Sequence, residues 1–384
     1  MDARATLIAL NAHPRLNRGA LCRLAADLDA WSDLRGRDRP GQREAAELGV
    51  PTDQLRRAVA ALGDAPAVAR AERRRARQLG TRLLTRLDAE YPEELLDHPL
   101  PPPVLYLRGT LRRRPAIAIV GAREMSAYGQ EAAELFAGEL ARAGVTVISG
   151  FARGVDQAAH RATVRAGGAT VAVLGCGIDI SYPARSDALA REISRTGALI
   201  SEFPFGREPR AWHFPIRNRV IATLTAGTLV VQAKEKSGSL ITAHLALELG
   251  REVFAVPGSI FDDLARGTNG LIADGAIPAL SPLDILDHLA IGAQTSFLPE
   301  PEPAAAGRRN GEPRKSHPHP SDSLPLPAGL AGRILASITP GADGNTADEL
   351  AERCGEGGDR VLSALLELEL AGWIERAPGP LYLR

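Results

Sequence analysis

The sequence predicts an α/β protein with a mostly parallel sheet at its centre, a small helical domain before it and a winged-helix domain after it. Three observations carry that prediction. Six short apolar runs, beginning near 116, 144, 169, 198, 227 and 252, alternate with amphipathic stretches, a pattern that places helices on both faces of a parallel sheet. Residues 1–90 are rich in Ala, Leu and Arg at helical spacing. Residues 329–384 read as helix, helix, helix and hairpin, the order of a winged helix. A length of 384 residues accommodates two or three domains of roughly 100–200 residues each.

In the front segment, LIALNAHP, GALCRLAADL and DQLRRAVAAL carry the helical spacing, and Pro14, Pro40 and Pro51 punctuate it. The run from Arg70 to Arg77 holds five arginines. It reads either as a solvated helix face or as a surface for phosphates. PPPVLYLRG (101–109) is a proline-bounded strand leading into the central domain. There, AIAIVG, GVTVISG, ATVAVLG, ALISEF, GTLVVQA and EVFAVPG are the strands, with helices expected around 128–142 and 154–166. Residues 293–328 are proline-rich and low in order-promoting residues and read as a linker. Its His317 and His319 are not expected to be ligands. The domain boundaries are therefore 1–90, 91–292, 293–328 and 329–384. In the last segment Asn345 or Thr346 is the helix cap. The presumed recognition helix, GDRVLSALLELELAG, is apolar and acidic, which suits packing or protein contact better than gripping phosphates.

Composition narrows the function. Lys plus Arg and Asp plus Glu are both 46, so whole-chain charge gives no argument for a nucleic-acid partner. Divided at 114 and 292, the balance is 21 basic to 15 acidic, then 16 to 18, then 9 to 13. The front is basic and the tail acidic, and any anion site in the middle domain must be a narrow pocket. Three scattered cysteines and no CxxC pair exclude a disulfide scaffold and a thiolate zinc site, and fit a reducing compartment. No signal peptide or long apolar span is expected, so the chain is read as cytoplasmic.

The unusual residues stand at the strand ends. IVGARE (119–124) sets Gly121 and Arg123 just past a strand, before a helix whose first N–H groups can face an anion. SGFARGVDQAAH (149–160) repeats this with Ser149, Gly150, Arg153 and Gly154. Its Asp156 and His160 lie four apart on one helix face. They read as a cap plus an ordinary histidine, or as a brace beside a phosphate site; two such residues are too few for a metal. GCGID (175–179) and SEFPFG (201–206) are two more such ends. In HFPIRNRVIATLT (213–225), Arg217 and Arg219 flank Asn218 at a helix start, which suits phosphate oxygens, and Trp212 and Phe214 precede them as rings that can stack on a base or fill the core. QAKEKSGSLITA adds Lys234, Lys236, Ser237, Gly238 and Ser239 as an anion cradle. Neither GxGxxG nor GxxxxGK[ST] occurs, so no nucleotide cofactor is predicted. No spacing indicates a catalytic nucleophile, and Asp156 and Glu202 are the acids to watch.

Taken in order, IVGARE…YG, VISGFARGVDQAAH, TVAVLGCGIDISYP, ALISEFPFG, HFPIRNRVIA, LVVQAKEKSGSLITA, VFAVPG and GTNGLIADGA resemble the DprA/Smf family of DNA-processing proteins. The resemblance implies an extended Rossmann-like core that dimerises, a SAM-like or helix-hairpin-helix-like N-terminal domain and a winged-helix C-terminal domain. It implies single-stranded DNA binding in the cytosol, protection of incoming strands during natural transformation, and loading of the RecA recombinase, with no cofactor, metal or catalytic residue. Carried over by position, the DNA pocket would use Gly121, Arg123, Ser149, Gly150, Arg153, Gly154, Arg217, Asn218, Arg219, Lys236, Ser237, Gly238 and Ser239. The chain departs from the family text at Gln232, usually Glu, and at Phe151, commonly Leu. The alternative is a phosphoribohydrolase-like enzyme on a related fold; the chain has VPGSIFDD and ARGTNG in place of that class's PGGxGT loop.

Overall fold

Strand-length apolar runs bounded by glycine form the centre of the molecule. The computed structural model describes residues 2–26, 41–112, 115–290, 329–338, 345–356, 361, 364–365, 368, 375–376 and 381–383. The predicted linker, with His317 and His319, lies outside the described residues, as does most of the segment 359–372. The chain divides into two units, Met1–Leu298 and Pro299–Arg384.

The first unit begins with helices α1 (Ala3–Ala12), α2 (Arg18–Ala26), α3 (Gln42–Glu47), α4 (Thr52–Leu62) and α5 (Ala65–Gln78). Asp2 caps α1 by accepting from the Ala5 N–H at 3.2 Å. Leu10, Leu21, Leu24, Leu55 and Leu62 close a small core among these helices. A second cluster joins them to the sheet: Leu7, Ile8, Ala69 and Ala76 pack with Val104, Tyr106, Leu174 and Leu199. The reading of 1–90 as all-helical is corrected at its end, where β1 (Arg82–Thr85) pairs antiparallel with β2 (Val104–Gly109). The physical stop is Gly80 at φ +59, a left-handed residue that ends α5 and turns the chain into a strand.

The remaining elements are β3 (Ala116–Val120), α6 (Ala127–Arg142), β4 (Thr146–Ser149), α7 (Val155–Arg165), β5 (Thr170–Leu174), α8 (Asp187–Thr196), β6 (Ala198–Ser201), α9 (His213–Thr223), β7 (Gly227–Val230), α10 (Gly238–Glu248), β8 (Glu252–Ala255), α11 (Arg266–Ala273), β9 (Ile277–Pro278) and α12 (Pro282–His288). The sheet order is β1-β2-β6-β5-β4-β3-β7-β8-β9. From β6 through β9 every pairing is parallel; β2 lies antiparallel to β6. Parallel strands covered on both faces need continuous apolar runs, and β3, β4, β5 and β6 are buried at every residue. The chain winds from β3 outward to β6, then returns to lay β7 on the other side of β3. That return is a topological switch point, where the loops at the carboxyl ends of β3 and β7 diverge and leave a crevice.

In the second unit, α13 (Gly329–Ser337) and α14 (Ala347–Cys354) flank β10 (Asn345–Thr346), which forms a three-stranded sheet of order β10-β12-β11 with β11 (Glu375–Arg376) and β12 (Leu381–Leu383). Thr346 caps α14 reciprocally with Glu349. Val361, Ala364, Leu365 and Leu368, at helical spacing, are buried with Ile334, Leu335 and Leu350. The unit is a winged helix, and the apolar residues of its third segment serve its own core.

A candidate nucleic-acid interface

A cavity of about 430 Å³ opens at the switch point, walled by the ends of β3, β4 and β7 and by the starts of α9 and α10. Backbone geometry brings these walls together. The Ala122 N–H donates to the Gln232 carbonyl at 2.8 Å, and the Val155 N–H to the Ala122 carbonyl at 3.1 Å. Two glycines permit the approach. Gly154 has φ +78, and a Cβ there would sit 2.2 Å from the Ala122 carbonyl oxygen. A Cβ on Gly150 would meet the Arg217 guanidinium at 2.6 Å. Phe151 follows in the left-handed region at φ +60, a strained position for a ring-bearing residue. It is buried against His160.

Four cationic side chains line the cavity, Arg123, Arg217, Lys234 and Lys236, against two carboxylates, Glu124 and Asp156. Arg217 is buried and donates to the Gly150 and Val173 carbonyls and, at 3.2 Å, to Asn218 Oδ1. Burial pulls its guanidinium down to about 10, opposed by Asp156; it stays charged at neutral pH. Burial pushes the Asp156 carboxyl up, against the attraction of Arg217. Asp156 accepts from the Ala152 N–H at 3.1 Å and so braces the loop after β4. Arg123, Lys234 and Lys236 are exposed and form no ion pair among the described residues. Phe214 lies beneath the guanidiniums of Arg123 and Arg217, at 5.1 and 5.9 Å. Tyr182 is tilted against its ring at 5.7 Å. On the far wall Ser237 caps α10 and bonds Ser239 at 2.8 Å, and Asn218 donates to the Gly238 carbonyl at 3.3 Å.

Nine of the thirteen predicted site residues line the cavity: Gly121, Arg123, Gly150, Arg217, Asn218, Lys236, Ser237, Gly238 and Ser239. Ser149 and Gly154 lie behind it; Ser149 Oγ donates to the Ile119 carbonyl at 2.5 Å. Arg153 is an exposed turn residue outside the cavity lining. Arg219 is the correction. It is turned away, buried at 8 % exposure, with Nη2 2.7 Å from Glu202 Oε2 and 4.0 Å from Cys22 Sγ. Two steps along a helix rotate a side chain by about 200°, so Arg217 and Arg219 cannot share a face. Trp212 leans edge-on against His213 and is half exposed, whereas Phe214 faces the cavity. His160 is not on the cavity: it is fully buried, 2.7 Å from Thr170 Oγ1, and burial pulls it down to about 3. Gln232, the departure from the family text, joins the start of α6, accepting from the Ser126 N–H at 3.0 Å and donating to Ser126 Oγ at 2.8 Å. Lys234 lines the cavity and was absent from the pocket carried over from the family; its place two residues before Lys236, on the loop after β7, was the available signal.

The profile of the DNA recombination-mediator protein A family matches residues 82–290, the whole sheet and cavity. The chain belongs to this DprA/Smf family. A DprA winged helix domain profile matches residues 317–380. Protein Smf of Escherichia coli is 41% identical over 295 residues, covering 75% of this chain and 74% of that one. DNA processing protein DprA of Bacillus subtilis is 42% identical over 216 residues, covering 56% and 73%. Among solved structures, DprA from Streptococcus pneumoniae aligns with a TM-score of 0.63 at 31% identity, over 74% of this chain and 97% of that one. DNA processing protein A from Helicobacter pylori, whose structure concerns its single-stranded DNA binding mode, aligns at 0.50 and 28% identity, over 55% and 95%. The family is described as one of DNA recombination mediators. Among the described residues no cluster of metal-ligating side chains occurs, and no helix is long and apolar enough to cross a membrane.

Proposed function

We propose that this chain binds single-stranded DNA at the switch-point cavity. Phosphate oxygens rest on Arg123, Lys234, Lys236 and the first N–H groups of α10, and a base stacks on Phe214. The observation that carries the proposal is the cavity's charge: four cations against two carboxylates, three of the cations with no ion pair among the described residues. A cationic cleft of this kind recognises a backbone, and an aromatic wall recognises bases without regard to sequence. Membership in a family of recombination mediators supports the same reading, as does similarity to a protein with a described single-strand binding mode. Gly121, Gly150, Gly154 and Ser149 shape the cavity, Arg217 and Asn218 hold its floor, Ser237, Gly238 and Ser239 form its far wall, and Arg153, exposed outside the lining, is available to the strand beyond it.

In the cell, the proposal continues, the protein protects incoming strands during DNA uptake and loads RecA onto them, as a cytoplasmic homodimer. Its working division is a helical domain over 1–90 that lends β1 to the sheet, the DNA-binding domain over 91–292, a linker over 293–328 and the winged helix over 329–384.

The test is a titration with single- and double-stranded DNA at several salt concentrations. Binding to the single strand is expected to be tighter and to weaken linearly in log–log form as salt rises, because phosphate contacts release counterions. Arg123→Ala is expected to weaken binding about tenfold, about 1.4 kcal/mol, equally on unrelated sequences. Equal affinity in wild type and variant would refute the cavity assignment. Failure to accelerate RecA nucleation on the bound strand would remove the loading step alone.

A further inference from the structure

The five-arginine run of α5 takes no part in the cavity, and three of its members are not spent on the fold. Ala65, Ala69 and Ala76 form the buried face of the helix. Glu72, the one acid on α5, is occupied: it accepts from the Tyr106 hydroxyl at 2.9 Å, and burial pushes its carboxyl up. Arg73 lies 3.7 Å from Asp2 and Arg75 2.6 Å from Asp179. Arg70, Arg74 and Arg77 are exposed and form no ion pair among the described residues. Their spacing is i, i+4, i+7, so they stand one above another within an arc of about 60°. Like charges at this spacing repel and weaken the helix. Attraction to the carboxyl end of the helix offsets this only for the last turn, which leaves Arg70 and Arg74 outside it.

The stripe is fixed in place. Asp179 receives Arg75 and also the Gly206 N–H, at 2.9 and 3.1 Å to its two oxygens. Arg75 lies 5.3 Å over the ring of Phe205. Asp179 is thereby occupied by Arg75 and by the Gly206 N–H. Arg74 and Asp179 belong to the wall of a shallow depression of about 460 Å³, with Ala71, Arg75, Gln78 and Leu79. Asp179 ends the loop that leaves the carboxyl end of β5. That loop begins at Gly175, where a Cβ would touch the cavity ring Phe214 at 2.9 Å. One loop of five residues thus joins the cavity to the stripe along the same end of the sheet.

We propose that Arg70, Arg74 and Arg77 form a second phosphate track, over which the single strand leaving the cavity passes across the loop Gly175–Asp179. The inference rests on the cavity reading for the strand's starting point. Three unpaired guanidiniums in a row on a rigid helix match successive phosphates of one backbone, and a strand already held at Phe214 arrives at this surface without a second association step.

The experiment uses the full chain and the triple variant Arg70→Gln, Arg74→Gln, Arg77→Gln, whose exposed side chains form no ion pair among the described residues. Each is titrated with an oligothymidylate of about four nucleotides and one of about 30, over a range of salt, with thermal melting as the fold control. The expected result is unchanged affinity for the short strand and at least a tenfold loss for the long one. The salt slope on the long strand should fall by about 2, at about 0.7 per phosphate. An unchanged affinity and slope on the long strand overturns the track. If the wild type binds only the long strand and the variant loses it, the cavity reading fails and the track stands. If the wild type binds neither, both fail.

Discussion

Helix α9 carries two buried arginines two positions apart, and the regions on its two sides use them in opposite ways. On the cavity side Arg217 is held by backbone carbonyls and an amide, neutral groups that fix the guanidinium without cancelling its charge. On the other side Arg219 meets the Glu202 carboxylate at 2.7 Å. Glu202 in turn offers its carbonyl to Asn11 of α1, and Asn11 takes a hydrogen bond from Arg18 of α2. Cys22, also at this junction, is pushed up to about 11 by burial and remains a thiol. The first region keeps a positive potential available to an incoming anion; the second cancels its charges internally and joins the helical domain to the sheet. A guanidinium's role follows from its acceptors more than from its burial.

The largest expected effect tests the junction. Arg219→Ala removes the ion-pair partner of buried Glu202 and leaves it only the longer-range attraction of Arg18, and the expected loss of stability is about 3 kcal/mol, read by urea unfolding. Arg219→Met combined with Glu202→Leu should recover part of it, since a buried ion pair replaced by apolar groups is often neutral, while Arg18 loses its attraction to Glu202. DNA affinity of the folded double variant should equal wild type. A tenfold loss there, with stability recovered, would erase the distinction between the two sides. A smaller effect concerns the layer behind the cavity. His160 is neutral in the folded state down to about pH 3, while the unfolded chain protonates it from about 6.5. Stability therefore falls as pH drops from about 6.5 toward 3, by at most about 1.4 kcal/mol per pH unit from this residue. His160→Gln should show a shallower acid dependence than wild type in paired unfolding curves at pH 7 and 5. The smallest effect is at Gln232→Glu. A carboxylate there accepts from both the Ser126 N–H and its hydroxyl, and a negative charge at the start of α6 is favourable by about 0.3–1 kcal/mol. A small rise in melting temperature is expected; a fall would mean that the Gln232 amide donor matters more than the charge.

Most of the fold was legible because parallel strands announce themselves as apolar runs, and AIAIV, TVIS, TVAVL and ALIS are all buried throughout. β1 was not legible. RLLT continues an Arg- and Leu-rich stretch without changing composition, and only Gly80 marks the break. The glycines and cations of the cavity were legible as strand-end residues, because a parallel sheet sends all such loops to one end. Arg219 was misread because RNR looks symmetrical as text, whereas a helix turns about 100° per residue and separates its two arginines. Arg75 was missed as a tether because its partner Asp179 is 104 residues away in sequence, a pairing that no local pattern encodes.

The antiparallel seam between β2 and β6 has a consequence for how the chain is made. Tyr106 pairs with Ser201, and the three strands β3, β4 and β5 must be synthesised between them. Glu202, the acceptor for Asn11 and Arg219, follows directly. Leu7 and Ile8 find cover on Ala69, Ala76, Val104 and Tyr106, all made before β3, whereas the Glu202 carbonyl that Asn11 bonds does not exist until β6 has emerged, and contacts of this span form slowly. The polar junction of Asn11, Arg18, Glu202 and Arg219 is thus among the last parts to be secured, after the apolar face of α1 is already covered, and until then its buried charges lack their partners.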